Sequence, residues 1–120
     1  MNSKGKPILI STGSLDNENG MATYEEIIQA LEWLDGYNTK TLLHCVSKYP
    51  CDEPHYERIS EISSHCMNVG LSDHSKTIKV PKGLSVYEKH FMLEDSDCID
   101  KNVSLTPSEF KEMVKWLRSL

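Results

Sequence analysis

The strongest constraint on the fold is the order in which two hydrophobic periodicities alternate along the chain. Residues 6–12 (KPILIST) are a short aliphatic run that ends in polar residues. Residues 22–34 follow with helical spacing, Ile27, Ile28, Leu31 and Leu34 falling at i, i+1, i+4 and i+7. Thr23 stands three residues before Glu26, the pattern of a capping box, and Gly36 is placed to stop the helix. A second strand-like run spans 39–47 (TKTLLHCVS), and a turn region at 50–54 leads to a helix expected over 57–65 on Ile59 and Ile62. Residues 68–74 (NVGLSDH) and 85–91 (SVYEKHF) read as two further strands. Thr106-Pro107-Ser108-Glu109 is a helix start, with a cap, proline at the first helical position and an acid three residues beyond the cap. Phe110, Met113, Val114 and Leu117 then form an apolar stripe. The order β-α-β-α-β-link-β-α predicts parallel pairing and an α/β class.

Composition bounds the function. With 120 residues the chain is one domain at most, read as a single segment over 1–120. Lys and Arg number 13 and Asp and Glu 18, giving a net charge of −5. That balance argues against a nucleic-acid partner and against an anionic membrane surface, both of which need clustered cations. No apolar run approaches the roughly 18 residues of a membrane span. The start, residues 1–6, is basic but has no apolar stretch behind it, so no secretory signal is expected. Cys45, Cys51, Cys66 and Cys98 contain no C-x-x-C pair. Their spacing specifies neither a zinc site nor a disulfide framework, and free thiols in a reducing cytoplasm are the expectation.

In parallel α/β folds chemistry collects at the carboxyl ends of the strands. Each of the four runs ends in polar residues: Ser11-Thr12, Ser47, Ser72-Asp73-His74 and Glu88-Lys89-His90. Residues two apart on a strand share a face, so Ser72 goes with His74, and Glu88 with His90. If the last two strands are neighbours, two imidazoles and a carboxylate converge at one rim. Imidazole suits several divalent transition metals, and carboxylate adds a preference for harder ones such as manganese. A shell completed by water or substrate oxygen can polarise a carbonyl. The same spacing also fits two structural, hydrogen-bonded histidines.

Four strings, in this order, resemble the N-acetylneuraminate (sialic acid) synthase family. They are KPILISTG at 6–13 continued by Met21-Ala22-Thr23 and Glu25-Glu26-Ile27, LLHCVSKYP at 42–50, GLSDH at 70–74, and EKHF at 88–91. Asp100, Ser104-Leu105, Pro107 and Glu109-Phe110 fit the segment that follows, so the likeness runs from about residue 6 to residue 118.

The resemblance implies a partial (β/α)8, TIM-type barrel of about four parallel strands with flanking helices, without the family's antifreeze-like domain. It implies the condensation of phosphoenolpyruvate with N-acetylmannosamine or a related N-acetylated amino sugar, giving a nonulosonic acid and phosphate. C3 of phosphoenolpyruvate attacks the open-chain aldehyde, water adds at C2, and C–O cleavage releases phosphate. A divalent metal, commonly Mn2+, is held by the histidines matching His74 and His90. Ser11, Ser47 and Ser72 match phosphoenolpyruvate-contacting positions, Tyr49 a position near both substrates, Asp100 a sugar-contacting carboxylate, and Glu88 an acid at the reaction centre. From the residues alone, Ser11 reads equally as a turn residue, Tyr49 as a packing ring and Asp100 as a cap.

The chain also departs from the family pattern. Residues 14–20 (SLDNENG) are inserted after the Ser-Thr-Gly turn, and Lys101 stands where a histidine is usual. The link at 75–85, with Pro81 and Gly83, is too short and too broken for a crossover helix, so a turn is expected there. A full barrel takes about 250 residues, and the family's phosphoenolpyruvate-binding lysines have no counterpart here. The expectations are therefore a complementary barrel half, self-association that closes two halves, or a non-catalytic metal- or phosphate-binding remnant. The isolated chain is expected to be inactive.

Overall fold

The computed structural model describes residues 5–66 and 68–119. Residues 1–4, most of the segment read above for a secretory signal, lie outside them. Four strands, β1 (Ile8–Ser11), β2 (Lys40–Cys45), β3 (Asn68–Asp73) and β4 (Tyr87–Lys89), form one sheet in the order β1-β2-β3-β4. All three pairings are parallel. The helices are α1 (Tyr24–Trp33), α2 (Arg58–Ile62) and α3 (Pro107–Arg118). The parallel α/β order read from the sequence is therefore the order observed.

The helices cover one face of the sheet. Ile10, Leu42 and Val69 align across β1, β2 and β3 and pack with Ile27 and Leu31 of α1 and with Ile62 of α2. Leu71, on the same face, packs with Val80, Leu105 and Met113 of α3. Thr23 and Thr106 each close a capping box, with Glu26 and Glu109. Those carboxylates lie below their ordinary pKa, chiefly because each accepts the backbone N–H of its threonine. Among the described residues no helix is long and apolar enough to cross a membrane.

Several expected boundaries contract. The helix expected over 57–65 is the five-residue α2. Ser60, Ser63 and Ser64 turn their hydroxyls back onto the carbonyls of Glu57, Ser60 and Glu61, which competes with helical propagation. The run at 85–91 shrinks to three strand residues. Beyond Lys89 the backbone leaves β3 and pairs with Leu105, through Leu105 N–H to His90 O (2.8 Å) and Met92 N–H to Leu105 O (2.9 Å). In α1 only Ile27 is buried, while Ile28 is 42% exposed, since adjacent positions are about 100° apart on a helix. Val114 likewise leaves the α3 stripe for a surface groove, and Trp116 bonds the Val80 carbonyl at 2.7 Å instead. The link at 75–85 holds no helix, as its proline and glycine predicted.

Gly70 sets the spacing of β3 and β4. A Cβ there would lie 2.5 Å from the Val86 carbonyl oxygen and 2.8 Å from Leu43 Cδ2. Gly70→Ala is expected to lower unfolding stability by about 1–3 kcal/mol through overpacking, whereas Gly5→Ala, with nothing within 4 Å, is expected to be near neutral. Urea denaturation of the two variants checks the contrast.

Candidate functional site

The helix-free face of the sheet carries the chemistry. Strand alternation places Ser11 of β1, Cys45 of β2, Ser72 of β3 and Glu88 of β4 on it. Ser47, His74 and His90 lie just past the carboxyl ends of their strands. The residues named from sequence thus gather at one rim.

Three rings form its centre. The centroids of His74 and His90 are 5.3 Å apart, and Tyr49 lies 4.2 Å from His74 and 5.9 Å from His90, edge-on to the latter. His74 is buried at 5% exposure, while the His90 side chain is 36% exposed, so the pair opens outward through His90. His74 Nδ1 lies 3.0 Å from the Val46 carbonyl, which can only accept, so Nδ1 carries the proton. In the neutral ring Nε2 then keeps its lone pair. His90 Nδ1 lies 3.6 Å from Asp100 Oδ2, which brings the expected loop carboxylate to the second ring. Lys101 does not take the place of a ring here; it pairs with Asp97 at the surface.

The two acidic and hydroxyl candidates on β3 and β4 are directly paired. Ser72 and Glu88 are Cα partners, and the Ser72 hydroxyl donates to Glu88 Oε1 at 2.6 Å. Glu88 is thereby aimed at Ser72 and not at the imidazoles. Among the described residues no group of three or more His, Cys, Asp or Glu side chains is arranged to hold a metal. The donor set is two imidazoles, and any remaining positions of a shell would fall to water or substrate.

Sequence reasoning missed Cys45, which it grouped with the other thiols. Its Sγ lies 3.8 Å from His74 Nδ1, and Ser11 and Ser47 also bond it. Burial works to raise this thiol, but the His74, Ser11 and Ser47 contacts outweigh it and hold the group below its ordinary pKa. Burial likewise works to lower His74, and the contacts with Cys45 and the Val46 carbonyl outweigh it and raise the ring. The strand period was the available signal, since Cys45 and Ser47 are two residues apart. Gly13 leaves room for this cluster: a Cβ there would meet Ser47 Oγ and lie 2.8 Å from Cys45 Sγ. The inserted residues 14–20 fold back onto the strand ends, Gly20 accepting the N–H groups of Ser14 (2.9 Å) and Ser47 (2.8 Å).

The sequence model of the NeuB family matches residues 1–120. The chain belongs to the NeuB family. It is 36% identical over 125 residues to an uncharacterized protein of Methanocaldococcus jannaschii, covering 95% of this chain and 35% of that protein. It is 35% identical over 124 residues to the pseudaminic acid synthase of Campylobacter jejuni, covering 94% of this chain and 34% of that enzyme. The crystal structure of the N-acetylneuraminic acid synthetase from Leptospira borgpetersenii, in complex with citrate, superposes with a TM-score of 0.79 at 29% identity, over 92% of this chain and 40% of that one. The chain thus spans about a third of the length of the curated relatives it matches. The four parallel strands and their helices form a half-barrel of the NeuB type.

All four cysteines are free. Under native conditions Cys66 and Cys98, which are partly exposed, are expected to react quickly with a thiol reagent. Cys45 and Cys51, 3% and 5% exposed, are expected to react only on unfolding. Stopped-flow titration with an aromatic disulfide, with and without denaturant, checks this; fast native reaction of Cys45 would contradict its position behind His74.

Proposed function

We propose that this chain supplies the metal- and phosphate-binding half of a nonulosonic acid synthase, which condenses phosphoenolpyruvate with an N-acetylated amino sugar and releases phosphate. The observation that carries the reading is the meeting of His74 and His90, with Tyr49 packed against both, at the carboxyl rim of a NeuB-type sheet. The relatives include a pseudaminic acid synthase and an N-acetylneuraminic acid synthetase, which differ in their sugar; the class of reaction is proposed here, without one sugar.

The residues fit a divalent cation such as Mn2+. The Val46 carbonyl accepts the Nδ1–H hydrogen bond of His74, the arrangement that orients a ligating imidazole. His74 and His90 would hold the cation, with Asp100 beside His90. A bound cation supplies Lewis acidity toward the sugar aldehyde. The rest is the work of this chain's groups. Ser11, Ser47 and Ser72 offer short hydroxyl donors at the rim, suited to phosphate oxygens. Glu88, bonded to the Ser72 hydroxyl, is proposed as the acid–base group of the reaction centre, and moves a proton when phosphate displaces that contact. Tyr49 walls the space between the substrates, and Asp100 binds a sugar hydroxyl.

Turnover needs more surface than this chain provides. At the edge of the sheet, Ile8 and Thr12 donate to β2, so Leu9 and Ser11 direct their backbone groups outward. Leu9 is 51% exposed on the helix-free face. An unpaired parallel edge beside exposed apolar surface invites another strand. We therefore propose that a complementary barrel segment completes the site, with a second copy of the chain as the other occupant. A second reading, binding without turnover, is favoured by the engagement of Glu88 with the Ser72 hydroxyl.

With Mn2+, phosphoenolpyruvate and N-acetylmannosamine, the purified 120-residue chain is expected to give no product in a thiobarbituric-type assay. Co-expression with the N-terminal barrel segment of a relative is expected to give product, which Glu88→Gln abolishes. Failure of the combined halves supports binding without turnover; product from the pure chain refutes the need for a complement. In a separate calorimetric titration the chain is expected to bind Mn2+ weakly, and His74→Ala or His90→Ala to abolish it. Unchanged binding in both variants removes the metal from this reading.

A further inference from the structure

On the opposite face, directly behind the two imidazoles, lies a buried ion pair that the proposed chemistry does not use. Asp73 and Lys89 are Cα partners across β3 and β4. Lys89 Nζ lies 2.8 Å from Asp73 Oδ2, and the side chains are 1% and 4% exposed respectively. The Asp73 carboxylate also accepts the Tyr56 hydroxyl (2.9 Å) and the Ser75 hydroxyl (2.6 Å), and Lys89 donates as well to the Ser75 carbonyl. Both charges are thus buried and fully engaged.

We propose that Asp73 and Lys89 are positioning residues: their pairing locks the register of β4 on β3 and thereby brings His90 opposite His74. The need for such a lock follows from the shortness of the ladder, in which the hydrogen bond from Ser72 to Glu88 on the helix-free face is another side-chain contact but joins no buried opposite charges. β4 pairs with β3 over three residues only, Leu71 with Tyr87, Ser72 with Glu88 and Asp73 with Lys89. The link at 75–85 contains no helix to fix where β4 begins. The Tyr87 hydroxyl bonds the Pro81 carbonyl (2.7 Å) and so ties β4 to that link, while its ring meets the Leu71 cluster only through apolar packing, which is not directional. Backbone ladder bonds re-form equally well in a slipped register.

The charges do not. A slip of one residue turns His90 to the helix-covered face. A slip of two keeps the faces but carries His90 about 7 Å along the strand, and sets Tyr87 or Phe91 opposite Asp73. Either way two buried charges lose each other, which is among the costliest changes a protein interior can undergo. Each residue of the pair directly precedes a histidine in the chain, so the lock acts one residue from the rings it aligns.

The consequence for metal affinity rests on the function proposed above; the consequence for register does not. The test uses the full chain labelled at histidine, with proton cross-relaxation between the rings of His74 and His90 as the register readout and Mn2+ titration followed by electron paramagnetic resonance as the site readout. The wild type and Lys89→Arg, which keeps the charge, are expected to show the inter-ring cross-peak. The double variant Asp73→Leu/Lys89→Met fills the same volume with apolar side chains. It is expected to stay folded by circular dichroism, to lose the cross-peak, and to bind Mn2+ at least about tenfold more weakly. If the double variant keeps the cross-peak, the pair does not set the register and the proposal is overturned. If the double variant does not fold, Asp73→Asn, nearly isosteric, decides by the same cross-peak. A wild type that shows the cross-peak but binds no Mn2+ leaves the lock standing and removes the metal reading.

Discussion

The candidate site depends on one short parallel ladder. Three residue pairs join β3 to β4, and they place a hydroxyl–carboxylate pair on one face of the sheet and an ion pair on the other. Because side chains alternate, these two pairs are the inward and outward expressions of the same alignment. The histidines follow directly after Asp73 and Lys89, so any change in that ladder is transmitted to both rings. Gly70, one pair below the ladder, allows the strands to lie this close, with Leu43 and the Val86 carbonyl in the space a Cβ would fill.

The two faces solve opposite problems. The outer face is dry: Leu42, Ile62, Leu71 and Leu105 are fully buried against the helices, and the charges of Asp73 and Lys89 are paired and hydrogen-bonded. The inner face is only half closed. His74 and Cys45 sit deep, held by the Val46 carbonyl and by Ser11 and Ser47, while His90, Tyr49 and Asp100 reach solvent. This gradient from a fixed ring to an accessible one gives the rim a preorganised side and an open side. Its open side faces outward across a sheet whose β1 edge carries no further strand among the described residues.

Much of this was legible in the primary structure. The alternation of strand and helix periods gave the parallel class, and both capping boxes appeared where Thr23 and Thr106 announced them. The four polar strand ends identified the rim, and a two-residue period put Ser72 with His74 and Glu88 with His90. What sequence overestimated was extent. Serine back-bonding shortened α2, and the Leu105 segment drew β4 away after three residues, both through local hydrogen bonds that periodicity does not encode.

The sequence by itself determined the kind of sheet, the face on which each rim residue lies and the family to which the chain belongs, because those follow from short-range spacing and from strings of residues. Only the tertiary structure decided that Cys45 backs His74, that Glu88 bonds Ser72 instead of joining the imidazoles, and that Asp73 and Lys89 neutralise each other behind the site. The physical reason is range. Periodicity fixes the direction of a side chain relative to its own strand, whereas a contact between strands depends on register, and register is set by the energy of pairs far apart in the chain.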